Sequence, residues 1–507
     1  TNSQNCSART SITILELIYN LKSIKMKIFK NSILILGLIV LQSCSKDMLN
    51  QVPDHVISDN LVLNSVEKLD KLLTGTYNEV SRNTYLGRVL YKRAAVKGTD
   101  FRFVETTYNP RDYELIFYKY EESSNSSGSG EDLWIQSFKA INNLNLIINN
   151  IENAEGNAAK KQEILGEALG LRGMVYFDLA RTFAYPWIRA GASSQGLPLK
   201  LSSDEIVIAR SSLGATYDQI ILDMQSALDL LEENSWDQGS TKYLTKTGVK
   251  ALLARVYLYK QDWENALKYS KEVIATRGED KLMGVNSYVF EDYNSESLFE
   301  LSITSENSLG SNGLGAQFDF KNGGQGDIIA TQTFVDLLSV YEGDPRAALL
   351  EEDKEGTQQA FVKYINRSDG GGLSAHNIPI VRLSEMYLIA AEATANGAGG
   401  GESESLSYLN TLIEKRTTNF SANQVTETGE ALQERIAEER RRELALEGHG
   451  VYDYIRRGKD IIRPVAEHVN TGVNVSNLDI QSTDNRTICP IPASEVEASG
   501  MVQTQGY

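Results

Sequence analysis

The stretch AEERRRELALEGHG, residues 437–450, gathers the groups in this chain best suited to acid–base chemistry. Glu438, Glu443 and Glu447 offer carboxylates that a glycoside hydrolase could pair, one as acid and one as base or nucleophile, roughly 5–10 Å apart across a sugar-sized cleft. The spacing argues otherwise. On a helix Glu438 lies against Arg441 and Arg442, and Glu439 against Arg442 and Glu443, at the i+3 and i+4 separations that share a face. So many arginines hold the glutamates ionised and occupied. The block is therefore expected to be an ion-pair scaffold, and the chain is not expected to be an enzyme. Arg382 and Glu385, three residues apart, read as a second structural pair. Metal chemistry has little to draw on: His55, His376, His449 and His468 are scattered without an HExxH or other close ligand pair, so no metal and no cofactor is expected. Cys489 has no cysteine or histidine nearby in the sequence and is expected to be a buried small hydrophobe.

Cys44 has a different setting. It ends the run LILGLIVLQSC, residues 34–44, whose apolar part from Ile33 to Leu41 falls short of the roughly 20 residues a bilayer crossing needs. Lys27 and Lys30 precede the run, and Met26 precedes them as a plausible initiator, which is the layout of an export signal. Leu41-Gln42-Ser43-Cys44 resembles the bacterial lipobox, in which the cysteine sulfur is diacylated and the preceding peptide removed. Residues 1–43 are thus expected to be a cleaved lipoprotein signal (1–25 upstream translation, 26–43 the signal proper), with Cys44 the lipidation site. Burial of acyl chains is worth ~0.8 kcal/mol per methylene, so two or three chains anchor stably where one holds marginally. Residues 44–60 are polar and aperiodic and read as a flexible tether of roughly 20 Å.

Charge narrows the partners. The 507 residues carry a net charge of −17, and since residues 1–43 hold five Lys or Arg and one Glu, the remainder carries −21. Nucleic acid, which needs a basic footprint, is excluded as a partner. A composition of 41% hydrophobic and 23% charged residues suits one large or two medium globular domains.

The elements that must position any site are amphipathic helices. In ILGEALGLRGMVYFDLARTF, Leu165, Ala168, Leu171, Val175, Leu179 and Phe183 recur at steps of three and four on one stripe. Similar patterns fill 134–154, 217–233 and 379–395, and NGAGGGES (396–403) separates two helices. In 246–274, Ala254, Tyr257 and Ala266 stand in the register of a tetratricopeptide repeat, with Lys250 and Ser270 replacing its usual large aromatics. From 278 to 376 the chain turns Gly-, Ser- and Asn-rich with interspersed aromatics, a loop-rich insertion without a helical stripe.

Several motifs together are similar to the SusD/RagB family. GEALGLRGMVYFDLARTFAYPW resembles its GEAxxLRAxxYFxLxxxFGxxP segment, and NIPIVRLSEMYLIAAEA its RLxExxLxxAEA helix. IAEERRRELALEGHGVYDYIRRG resembles its ERxRELxxEGxRxxDLxRxG block, and CPIPASEVEASGMVQTQGY its PIPxxExxxNPxxxQNPGY ending. Ala184-Tyr185, His449, Ser499-Gly500 and Thr504-Gln505 depart from those patterns. The resemblance implies a mainly α, SusD-like fold of degenerate tetratricopeptide helix pairs packed against a loop-rich region with few short strands, spanning 61–507 as a single intertwined domain.

It also implies a lipid-anchored outer-membrane protein that binds oligo- or polysaccharide without cleaving it and delivers it to a SusC-like TonB-dependent transporter. A peptide- or glycoprotein-binding relative is the alternative, and a glycan-acting enzyme or a tetratricopeptide adaptor is less favoured. Sugar rings are held by flat aromatic faces and polar side chains. The expected ligand-binding residues therefore come from the irregular stretches: Asp100, Phe101, Phe103, Tyr108, Tyr113, Trp187, Tyr288, Tyr293, Phe318 and Phe320. Trp134 and Trp263 read as packing residues, and Trp236 as loop surface or a lid over the helices.

Overall fold

The computed structural model describes residues 63–106, 114–126, 128, 130–206, 209–233, 236, 239–319, 323–352, 358–364 and 375–507. The expected signal, Cys44 and the tether lie outside these residues, as do Tyr108, Tyr113 and Phe320.

Helices of seven residues or more run in this order: α1 (Val66–Val80), α2 (Val89–Val96), α3 (Gly130–Asn150), α4 (Ala158–Phe183), α5 (Leu213–Leu230), α6 (Lys246–Lys260), α7 (Trp263–Arg277), α8 (Gln332–Leu338), α9 (Leu383–Ala395), α10 (Gly401–Lys415), α11 (Gly429–Glu443), α12 (Gly450–Arg456) and α13 (Ala493–Ser499). Their starts follow from short polar caps. Asn157, Ser212, Thr245 and Asp262 each accept a backbone N–H from the first turn of the helix that follows, satisfying a donor the helix cannot. The apolar stripe read for α4 is buried apart from a half-buried Leu165, and the helix stops before Ala184-Tyr185-Pro186, as proline requires of the residues before it.

Helices α3, α4 and α5 pack in sequence, and α6 and α7 form a hairpin that continues onto α9 and α10. Within that hairpin Ala254 and Ala266 are fully buried, and Tyr257 stacks on Tyr269 with ring centroids 5.7 Å apart. This is the close approach that the tetratricopeptide register predicts. Gly450, which opens α12, meets α2 so tightly that a Cβ there would lie 1.9 Å from the Ala94 carbonyl oxygen.

Strands are short and come in antiparallel pairs: β1 (Phe101–Phe103) with β3 (Ile328–Ala330), β2 (Ser297–Leu301) with β6 (Ile378–Arg382), β4 (Leu350–Glu352) with β5 (Gln359–Phe361), and β7 (Ile461–Ile462) with β8 (Asp479–Ile480). Here two expectations need correction. The helix expected from 379 begins only at Leu383, because IPIVR is a strand buried along its whole length against β2, and a strand covered on both faces shows no alternation. The loop-rich stretch 278–376 also contains α8, capped by Thr331. Among the described residues no helix is long and apolar enough to cross a membrane.

Candidate functional site

The acid–base block resolves into buried ion networks. Glu443 is fully buried and meets three guanidinium groups, those of Arg346, Arg382 and Arg416, each at 3.0 Å. Arg382 also reaches Glu296 and Glu447 at 2.7 Å, Arg416 reaches Glu296 at 2.6 Å, and Arg346 reaches Asp344 and Glu439. Burial would raise the Glu443 carboxyl, but Arg416, Arg382 and Arg346 outweigh it and hold the group well below the usual carboxylate range. Glu392 and Asp453 are held down in the same way between Arg440 and Arg456. A carboxylate already gripped on both oxygens has no lone pair to offer a substrate.

The expected Arg382–Glu385 pair does not form. Arg382 ends a strand, so the helical i,i+3 geometry is absent, and Glu385 pairs instead with Arg255 at 2.5 Å. Of the pairings read along α11, Glu439–Arg442 forms at 3.1 Å and Glu438–Arg442 at 3.7 Å, while Arg441 turns to Asp100.

The structure scatters the aromatic candidates: of the six among the described residues, three are buried and Trp187, Tyr288 and Tyr293 are half-buried. Phe101, Phe103 and Phe318 are at most 3% exposed. Phe101 packs against Phe334, Phe361 and Phe318 with centroids 5.1–6.4 Å apart, so these rings bind the β1–β3 ribbon to the core and have no free face for a ligand. Asp100 is occupied by Arg441. Trp187 is half-buried, edge-on to Tyr217 at 5.3 Å and beneath Lys260. Tyr288 lies under the Arg416 guanidinium with its hydroxyl buried. Trp134 is buried, and Trp236 is half-buried beneath Arg277. Cys489 is buried and unpaired, and its thiol is pushed up by burial.

One aromatic that the sequence reading passed over is presented to solvent. Among the described residues Tyr243, 43% exposed, is the only Phe, Tyr or Trp side chain in the exposed range. It lines a cleft of about 380 Å³ together with Thr74, Asn78, Ser302, Thr304, Asn307 and the charged side chains of Lys242 and Glu306. Tyr77 stands behind it, edge-on at 5.5 Å, and Lys242 sits 5.2 Å from its ring centre. Asn307 fixes the far wall, donating to Asn78 and to the Ser302 carbonyl at 3.1 Å while accepting from the Thr304 backbone. Tyr293, one of the sequence candidates, donates its hydroxyl to Ser302 Oγ at 2.9 Å and so buttresses the same wall. An aromatic ring rimmed by amides and hydroxyls is the chemistry that matches a sugar ring, apolar on its face and hydroxylated on its edge. A second cleft of about 340 Å³, beside β1, β3 and β5, is lined by Arg102, Glu105, Gln332, Gln358, Gln359 and Glu467 and has no aromatic ring. Among the described residues no three His, Cys, Asp or Glu side chains form a group able to hold a metal ion.

Two family models match the chain: a SusD-like family described as starch-binding and associating with the outer membrane over residues 47–258, and the SusD family over 336–507. The chain belongs to the SusD/RagB family. A SusD-like protein of Formosa agariphila is 22% identical over 90% of this chain and 94% of its own length. The crystal structure of a SusD superfamily protein from Bacteroides thetaiotaomicron superposes with a TM-score of 0.78 at 28% identity, covering 87% of this chain and 99% of that one. A laminarin-binding SusD-like protein shares the fold with a TM-score of 0.61 at 21% identity, covering 87% and 99%. The SusD motifs read from the sequence supply the buried networks: Arg382, Glu385 and Glu392 come from one, and Arg440, Glu443, Glu447, Asp453 and Arg456 from another. The cleft residue Tyr243 lies in none of them. Its only signal in the sequence is an aromatic placed in the polar linker STKYLT between two amphipathic helices.

Proposed function

We propose that this SusD-family protein captures an oligo- or polysaccharide in the Tyr243 cleft without cleaving it and passes it to a SusC-like TonB-dependent transporter, anchored in the outer membrane through lipid on Cys44 and facing outward. The observation that carries this reading is Tyr243, the one exposed aromatic among the described residues, set in a cleft that also presents amides, hydroxyls and the charged side chains of Lys242 and Glu306. Stacking one ring face and bonding a few hydroxyls gives millimolar to micromolar affinity, about 4–8 kcal/mol, which suits a ligand that must be handed on. Membership of a carbohydrate-binding family and a shared fold with a laminarin-binding protein support the ligand class. Occupation of the buried glutamates by arginine supports capture over hydrolysis.

Calorimetry with a panel of soluble polysaccharides and peptides tests the reading. A saccharide is expected to bind, and Tyr243→Ala is expected to weaken it at least tenfold, ~1.4 kcal/mol, with the circular dichroism spectrum unchanged. Binding of peptides alone, or saccharide binding indifferent to Tyr243→Ala, would overturn it.

A further inference from the structure

Among the described residues, buried glutamates are, with two exceptions, met by a cation. Glu114, Glu122, Glu296, Glu385, Glu392, Glu439, Glu443 and Glu447 each lie within ion-pair distance of arginine or lysine. Glu167, 4% exposed, and Glu300, 3% exposed, have no such partner among the described residues. Both exceptions are linked to the same short segment, residues 241–244, which presents Tyr243: Glu300 directly and Glu167 through Tyr77.

On one side, Glu167 of α4 accepts the hydroxyl proton of Tyr77, and that hydroxyl accepts the backbone N–H of Leu244 at 2.9 Å. On the other, Glu300 of β2 accepts from Thr241 Oγ1 at 3.4 Å, from Ser297 Oγ at 3.1 Å and from the backbone N–H of Tyr293 at 2.7 Å. Ser297 Oγ also reaches Thr241 Oγ1 at 3.1 Å. Leu244 is buried while Tyr243 beside it is exposed, so the segment hangs on these bonds and on one apolar anchor.

Resting on the cleft reading above, we propose that Glu167 and Glu300 are positioning residues for this cleft: as uncharged carboxyls they clamp the 241–244 segment and orient the Tyr243 ring, and when they ionise the clamp loosens and capture weakens. A buried carboxylate without a cation is costly, and the least costly remedy is movement that admits water. The surroundings favour the neutral forms. Burial is the main cause in both cases, pushing Glu167 up to about 7 and Glu300 up to about 8. Glu163 and Asp70 add to the rise at Glu167, while the Tyr77 hydrogen bond and Lys160 oppose it; Lys160 is shared between those two acids at 3.0 and 3.1 Å. Asp292, itself 3.3 Å from His376, adds to the rise at Glu300, while the bonds from Tyr293, Ser297 and Asn377 oppose it. Ionisation therefore falls near neutrality, and the cleft is expected to be firm at pH 6 and loose at pH 9.

Amide hydrogen exchange in the ligand-free protein tests the clamp directly. After correction for the intrinsic rate, protection of the Tyr243 and Leu244 amides is expected to fall about tenfold from pH 6 to pH 9 in the wild type. It is expected to stay level in the double variant Glu167→Gln/Glu300→Gln, because glutamine copies the neutral acid. Tyr77→Phe, which keeps the ring and removes the link, is expected to lower protection of Leu244 at both pH values. Calorimetry with soluble laminarin as the probe is expected to show the same tenfold weakening in the wild type and a level profile in the double variant. Equal pH profiles in wild type and double variant would overturn the proposal, as would a folded double variant lacking protection at pH 6. Absence of saccharide binding at every pH would count against the cleft reading alone, since the exchange measurement still decides the clamp.

Discussion

Replacement of Glu443 by glutamine separates a scaffold from a catalytic acid. The five acids Asp344, Glu296, Glu439, Glu443 and Glu447 face the five bases Arg346, Arg382, Arg416, Arg442 and Lys363, so the cluster is formally neutral. All three guanidinium groups on Glu443 are within 1% of full burial. Glutamine removes the charge, leaves one acceptor oxygen, and turns an NH₂ toward donors that cannot accept from it. Breaking a buried pair from one side costs about 3–5 kcal/mol, because the charge left behind is neither solvated nor matched. Against a total stability of about 5–15 kcal/mol this is a large fraction. Urea unfolding followed by tryptophan fluorescence should show a correspondingly lower midpoint with an unchanged slope. Glu438→Gln is the control: that side chain is 37% exposed and its loss should stay within about 0.5 kcal/mol. If Glu443→Gln left stability intact while abolishing cleavage of a glycan, the scaffold argument would fail and the acidic block would be catalytic after all.

Other outcomes follow from the same structure. Acid should unfold the protein as pH falls below about 4.5, because Glu392, Glu439, Glu443, Glu447 and Asp453 are held below their ordinary values; the stability they add is present above the unfolded pKa and lost as they protonate, which a pH series of urea midpoints would register. Cys489 should resist thiol reagents in the native protein and react fully in denaturant, since it is buried and its thiol is pushed up; rapid native labelling would contradict that placement. Gly450→Ala should destabilise by about 1–3 kcal/mol, because its Cβ would meet backbone of α2 rather than a side chain that can turn away, and a thermal scan is sufficient to measure it. Labelled palmitate should enter the wild type expressed in a native-like host and be absent from Cys44→Ala.

How much of this was legible in the sequence depends on whether the signal was local. The helices were legible because a stripe such as Leu171, Val175 and Leu179 is written at a fixed period, and the tetratricopeptide pair because Ala254 and Ala266 are small where backbones meet. Strand β6 was not, since five consecutive buried residues carry no alternation to distinguish them from a helix start. Partner choice was legible only in outline: charge spacing announced ion pairs, but Arg382 found Glu296 and Glu447, far away in sequence, rather than the neighbour three residues on. Phe101 and Phe318 were misplaced for a related reason. Surroundings without helical periodicity mark irregular backbone, yet such backbone can still be pinned to the core by its aromatics, and fully burying a ring is worth about 1.5–3 kcal/mol.

The division of labour between motif and cleft follows from these energies. A charge inside the core needs several partners at once: Glu443 at the end of α11 is met by Arg346, by Arg382 at the end of β6 and by Arg416 just after α10, and Arg382 and Arg416 share Glu296 just before β2. A single substitution there leaves an orphan charge, and Arg382, Glu439, Glu443 and Glu447 of the network lie in the SusD motifs read from the sequence. The cleft is under no comparable constraint. Tyr243 is held from below by Leu244, Tyr77 and the bonds around Glu300, but its exposed face touches nothing that a different side chain would disturb. Exchange of the exposed Lys242 and Tyr243, or of the exposed residues 304–306, for those of a relative should therefore change which ligand binds while leaving stability within about 1 kcal/mol, and a graft that altered stability without altering ligand preference would place recognition elsewhere on the molecule.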